Sequence, residues 1–184
     1  MWSRFWLPFL LAVAGVLLIL HRAPAADVRL GIGRSATADE IAGWDIDVRA
    51  DGQGLPPGHG SVSDGQKIYV QVCAACHGQN GEGKSADQLV GGFGTLATTK
   101  PVRTVGSYWP YATTLFDFIR RAMPFNAPQS LSDDQVYAVS AYILYLNKII
   151  PESAVLDAVS MRKLVMPNRN GFTSPDPRPD VRAR

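Results

Sequence analysis

The sequence predicts an all-α fold, a small helical domain with an irregular N-terminal arm and a C-terminal tail. Apolar residues recur at helical spacing in three separated stretches, each opened by a helix-starting signal. Between the first and second lies a run, residues 78 to 106, that is rich in Gly and Thr and keeps no sustained period. A loop of that length in a compact domain is expected to wrap something.

The chain opens with "MWSRFWLPFLLAVAGVLLILHRAPAAD". Arg4 supplies a positive start, Phe5 to Leu20 an apolar run, and Ala23-Pro24-Ala25 small residues for cleavage, which is the layout of a secretory signal peptide over residues 1–26. The apolar run is 16 residues, short of the roughly 20 that span a bilayer as a helix. Export to the periplasm is therefore expected, with membrane attachment only if the leader stays uncleaved. Removing the leader takes Arg4 and Arg22 from the 18 basic residues and leaves 16 against 16 acidic ones. The mature chain is formally neutral and carries no basic stripe with interleaved aromatics, so nucleic acid is not an expected partner.

Residues 27–62 form the arm, rich in turn residues such as "ADGQGLPPGHGS". Thr37 and Glu40 make a capping box that starts a short helix through Ile41, and Trp44 to Val48 alternate like a strand. Neither piece builds a core alone. The domain proper is expected over residues 63–150. Ser63 and Gln66 read as a second capping box, followed by Ile68, Tyr69 and Val72 at helical spacing up to Cys73. "PYATTLFDFIRRA" (110–122) reads as a helix with a proline in its first turn, stopped before Pro124. Ser132 and Gln135 open the last strong helix, with Val136, Val139, Tyr142, Ile143 and Leu146 on one apolar face. Residues 151–184 form the extension, in which "SAVLDAVSMRKLVMP" predicts a further helix.

The chemistry sits in "QVCAACHGQN", where both cysteines of the chain stand three apart with a histidine directly behind the second. A disulfide across that spacing closes a very short loop and restrains the unfolded chain little. A structural zinc needs about four ligands, and adjacent Cys76 and His77 ligate one tetrahedral ion only with strain. A thioredoxin-like dithiol belongs at a strand-to-helix junction, whereas here a helix precedes it. Thioether attachment of haem fits each element: Cys73 and Cys76 meet the two vinyl groups, and His77 brings its imidazole under the iron as proximal ligand. For the sixth position the candidates are Met123, Met161, Met166 and His59. Met123, between two helices and followed by Pro124, is the expected distal ligand. Met161 and Met166 are expected to pack, and His59 to be a solvated loop residue.

Residues 63–147 resemble a class I cytochrome c: first helix, C-A-A-C-H, wrapping loop, methionine-proline, last helix. Gly65, Tyr69 and Cys73 repeat that family's spacing, with Gly65 letting the last helix cross closely beside Val139 and Tyr142. Longer strings, "GIGR", "EIAGWDIDV", "DGQGLPPGHGSV", "VGSYWPYATTLFDFIRRAMPF" and "QVYAVSAYILYLN", are similar to the cytochrome c subunit of Sox-type sulfane and sulfite dehydrogenases. That resemblance implies one covalent haem c and a molybdenum-cofactor subunit that oxidises the sulfur compound. This chain would then be an electron-transfer subunit, itself no enzyme, passing electrons to a soluble cytochrome c or an oxidase. It also makes the arm and the Tyr108-Trp109-Pro110-Tyr111 string expected docking and haem-edge elements. The alternatives are a free-standing carrier, for which arm and tail are unnecessary, and a haem enzyme or gas sensor with a labile sixth ligand. The G-P-x-L element of cytochrome loops appears only as "DQLVGGFG", so the acceptor for the His77 Nδ1 proton is not named by the sequence.

Overall fold

The computed structural model describes residues 32–173. The expected leader and the last residues of the tail lie outside them. Two compact units are distinguished, Met1–Ala38 and Asp39–Arg184. Of the first, residues 32–38 are described and exposed; the core and the cysteine pair belong to the second.

Six helices and one two-stranded sheet occur among the described residues: α1 (Ala38–Trp44), β1 (His59–Ser61), α2 (Val62–Val72), α3 (Ala74–His77), α4 (Ala112–Ala122), α5 (Asp133–Leu146), β2 (Val155–Asp157) and α6 (Ala158–Lys163). The all-α expectation holds, and no helix or strand interrupts the loop between α3 and α4.

Several starts and stops differ from the sequence reading. The cap of α2 is Ser61, whose side chain accepts from the Asp64 amide, so the helix begins earlier than the Ser63–Gln66 pattern implied. In α4 the cap is Tyr111, leaving Pro110 outside the first turn. The Ser132–Gln135 capping box of α5 is formed in both directions. The predicted tail helix is divided: Val155–Asp157 pairs antiparallel with His59–Ser61, with Gly60 opposite Leu156, and Asp157 then caps the short α6. No periodicity announces a pairing of three-residue strands nearly a hundred positions apart.

The core is built where α2 and α5 cross. A Cβ at Gly65 would overlap the Ala138 carbonyl and come within 2.9 Å of Tyr142 Cβ. The close approach foreseen at Gly65 is therefore real, with Ala138 rather than Val139 as its principal partner. Gly60 of β1 presses on the same residue from the sheet, since a Cβ there would overlap the Ala138 backbone. On another side the rings of Phe116 (α4) and Tyr137 pack with centroids 4.4 Å apart. As a result every residue from Val136 to Leu144 is buried, whereas the sequence assigned α5 one apolar face. A helix covered on all sides is apolar on all sides; here the sheet and the extension cover the face left to solvent.

The strand expected at Trp44–Val48 does not form. Trp44 ends α1, and residues 45–49 belong to no ladder. Helix α4 supplies the missing partners: Arg120 Nη1 donates to the Ile46 carbonyl (2.9 Å), Asp117 Oδ1 accepts from the Val48 amide (2.8 Å), and Thr113 Oγ1 donates to the Ala50 carbonyl (2.9 Å). Positions 113, 117 and 120 share one face of a helix. Backbone groups of every second arm residue thus meet a polar stripe running the opposite way, and Val48 is the buried anchor between them.

Candidate haem-attachment site

Helix α2 ends at Val72, and after Cys73 the chain makes one further turn. The Cys76 and His77 amides both donate to the Cys73 carbonyl (3.1 and 3.0 Å), and Gly78 N–H donates to Ala74 (3.0 Å). In a helical turn, residues i, i+3 and i+4 share a face. Cys73, Cys76 and His77 are therefore presented together. Gly78 closes the turn at φ 84°, where an L side chain is disfavoured and would also run into Glu82. The positive φ thus accounts for the glycine.

The ring of His77 is fixed by its Nδ1, 2.7 Å from the Asp87 carbonyl oxygen. A carbonyl only accepts, so Nδ1 carries the proton and Nε2 keeps a lone pair, the tautomer a metal ligand requires. Asp87 is held in place close by, because Ala86 N–H donates to the Cys76 carbonyl (3.0 Å) and Gly83 N–H to that of His77 (2.7 Å). The acceptor that the sequence left unnamed is thus a backbone atom. No side-chain motif could have announced it.

Two buried side chains brace this loop: Tyr69, which the sequence reading placed on the first helix without this role, and Asn147, which it did not single out. Tyr69 OH donates to the Gly78 carbonyl (3.0 Å); burial, with Cys73 as the next contributor, raises its phenol pKa well above the usual range. Asn147, at the end of α5, accepts from Gly91 N–H through Oδ1 (3.1 Å) and donates through Nδ2 to the Leu89 carbonyl (3.1 Å). Helix α2 and the C-terminal end of α5 therefore grip the loop from two directions.

The donor set also discriminates among chemistries. Cys73 and Cys76 form no disulfide. Burial, and then the neighbouring Cys76, push the Cys73 thiol up to about 11, opposite to the lowered value that a redox dithiol or thiolate metal ligand uses. Among the described residues no three His, Cys, Asp or Glu side chains gather as a metal cage. What remains is two free cysteines on one face beside an imidazole of fixed tautomer, a set that fits covalently attached haem.

Met123 lies elsewhere in the chain, half-buried as the C-cap of α4 with its amide on the Ile119 carbonyl (3.0 Å). Cys73 and Met123 both pack against the hydrophobic core of the described residues. Met161 and Met166 are each about 1% exposed, in accord with a packing role. His59 is exposed, and its amide donates to Asp134 (2.8 Å). Of the aromatic string, Tyr108 packs edge-on against Phe172 and Tyr111 lies beneath the Arg169 guanidinium. The extension thus packs on two residues of the string expected to serve docking and haem-edge packing.

A cytochrome c family model matches residues 62–147. The crystal structure of the sulfane dehydrogenase SoxCD from Paracoccus pantotrophus is 45% identical, with a TM-score of 0.77, over 81% of this chain and 73% of that one. This chain belongs to the cytochrome c family. One covalently bound haem c and electron transfer follow for this cytochrome from its family. It is also similar to the thiosulfate dehydrogenase of Psychrobacter arcticus, 29% identical over 90 residues (49% of this chain, 27% of that protein). The thiosulfate dehydrogenase of Stutzerimonas stutzeri is 33% identical over 89 residues (48% and 28%). The cytochrome spans about a quarter of the length of these curated relatives. Among its described residues no helix is long and apolar enough to cross a membrane.

Proposed function

We propose that this cytochrome is the monohaem electron-transfer subunit of a sulfur-compound dehydrogenase. Cys73 and Cys76 hold the haem through thioethers, His77 is the proximal ligand and Met123 the distal one. The bound haem supplies one-electron chemistry between ferric and ferrous iron. The protein's part is to hold the imidazole through Asp87, to keep the loop closed through Tyr69 and Asn147, and to offer the Met123 thioether, which would serve as the second ligand. A thioether favours the ferrous state relative to an imidazole, which suits a site that accepts electrons.

The observation that carries the reading is the single turn presenting Cys73, Cys76 and His77 with Nε2 left as the free lone pair. The partner is a molybdenum-cofactor subunit, and a soluble cytochrome c or terminal oxidase takes the electrons onward, in the periplasm after removal of residues 1–26. Support for a fixed partner comes from extent: the likeness to the sulfane dehydrogenase structure takes in 81% of the chain, well beyond the cytochrome c segment 62–147. The likeness therefore reaches into the residues that flank the cytochrome c segment, and a free-standing carrier has no need of an arm and an extension. Within the arm, α1 buries none of its residues and leaves Ile41 54% and Trp44 88% exposed. Exposed aromatics of this kind supply much of the affinity at protein interfaces.

The test is purification of the native protein followed by molybdenum analysis and a haem-stained denaturing gel. Haem that stays with the denatured chain, and molybdenum in stoichiometric amount, are the expected results. Haem lost on denaturation would remove the thioether assignment. A molybdenum-free preparation that is still reduced by the cell's sulfur-oxidising fraction would favour the free-standing carrier.

A further inference from the structure

Residues 123–132 join α4 to α5 and carry Met123 at their start. Little holds them: residues 125–130 are exposed, Phe125 by 87%. The base of this loop is closed by one side chain. Arg120, in the last turn of α4, donates through Nε to Asp133 Oδ1 (2.9 Å) and through Nη1 to the Ile46 carbonyl (2.9 Å). Asp133 is the first residue of α5, so the guanidinium spans the two ends of the loop and fastens both to the arm. The Arg120 and Asp133 side chains are only 23% and 35% exposed, which shields the pair from much of the screening that weakens surface ion pairs. A guanidinium is a rigid fork that serves two acceptors at once, whereas a lysine ammonium is a single point on a flexible stem. The capping box of Ser132 and Gln135 fixes only the α5 end.

We propose that Arg120 is a positioning residue for the distal face of the haem, holding Met123 in place by closing its loop against Asp133 and the Ile46 carbonyl. The inference rests on Met123 being the distal ligand. Without the clasp, the ends of the loop separate more often and the thioether leaves its position more often. An exogenous ligand then enters faster, although the core beneath is unchanged.

The experiment uses the full-length haem-loaded protein and reads imidazole binding to the ferric form by stopped flow. The far-red band of thioether-ligated ferric haem and the urea midpoint are measured alongside. Arg120→Leu is expected to speed imidazole binding about tenfold, the factor for losing hydrogen bonds to a charged group. Arg120→Lys and Asp133→Asn should fall between it and the parent. Ile150→Ala, which opens a cavity in the core beyond the end of α5 opposite to Asp133, should lower the urea midpoint without speeding imidazole binding. Equal acceleration by Ile150→Ala would make the effect general and overturn the proposal. So would parental rates in Arg120→Leu, or in both conservative variants if Arg120→Leu fails to fold. Met123→Ala separates the two layers: if it keeps the band and the slow rate, the ligand assignment falls and the clasp with it. If it opens the iron while Arg120→Leu does not, the clasp alone falls.

Discussion

Asp117 offers a measurement of how firmly the arm is fastened. The residue is 7% exposed, and its carboxylate accepts from the Val48 amide (2.8 Å), itself buried, and from Arg121 Nε (2.9 Å). Replacing Asp117 by Ala leaves a buried amide without an acceptor, a loss of about 1–3 kcal/mol. The Arg121 side chain is 47% exposed, so losing that ion pair adds at most about 1 kcal/mol. Asp117→Asn keeps an acceptor oxygen for Val48 and removes only the charge. The Ala variant should therefore lose about 2–3 kcal/mol and the Asn variant less than about 1 kcal/mol. With a urea slope of about 2 kcal/mol per molar, the midpoint falls by about 1 M for Ala and by under half of that for Asn. Urea titrations of the haem-loaded protein, followed by far-UV circular dichroism, make the comparison. The visible spectrum should be unchanged in both, because Leu115, Phe116 and Ile119 on the inner face of α4 remain. Equal losses in the two variants would refute the reasoning, since charge rather than the Val48 acceptor would then dominate.

Gly65→Ala gains helix propensity of about 1 kcal/mol, but its Cβ overlaps the Ala138 backbone, which yields only if α5 shifts; a net loss of about 1–3 kcal/mol is expected by urea titration, and a neutral result would move the helix crossing elsewhere. Burial raises the phenol pKa values of Tyr69, Tyr137 (to about 12) and Tyr142 above the ordinary 10. The folded state then holds more protons than the unfolded one above pH 10, so stability is full below that point and falls as pH rises toward 12. A urea midpoint constant across pH 9–12, roughly the span of ordinary and raised phenols, would contradict this. Trp44→Ala should leave the visible spectrum intact and weaken association with the dehydrogenase partner by 2 kcal/mol or more, about thirtyfold in Kd; titration calorimetry showing parental affinity would place the interface off the arm.

Much of the site was legible because attachment chemistry is local. Cys73, Cys76 and His77 lie within one turn, so their spacing already states which face they share. For Met123 the sequence offered only its place between two helices, which the structure shows as the C-cap of α4. The Asp87 carbonyl was not legible, since every residue has a carbonyl and only the path of the loop selects one. Arg120 and Asp117 looked like ordinary charges of an amphipathic helix, because their partners are backbone groups of a segment some seventy residues away.

The sequence by itself determined the three principal helices, the small residue where α2 and α5 cross and the single turn that groups Cys73, Cys76 and His77, because apolar periodicity, capping and a three-residue cysteine spacing are properties of neighbours in the chain. The tertiary structure alone decided that the alternating Trp44–Val48 segment is no strand, that α5 is buried on all sides, and that a two-stranded sheet joins arm to extension. The physical reason is shared by all three: buried backbone amides and carbonyls must find partners. Which partner is within reach, a strand or the polar stripe of a helix, is fixed only once the core has brought distant segments together.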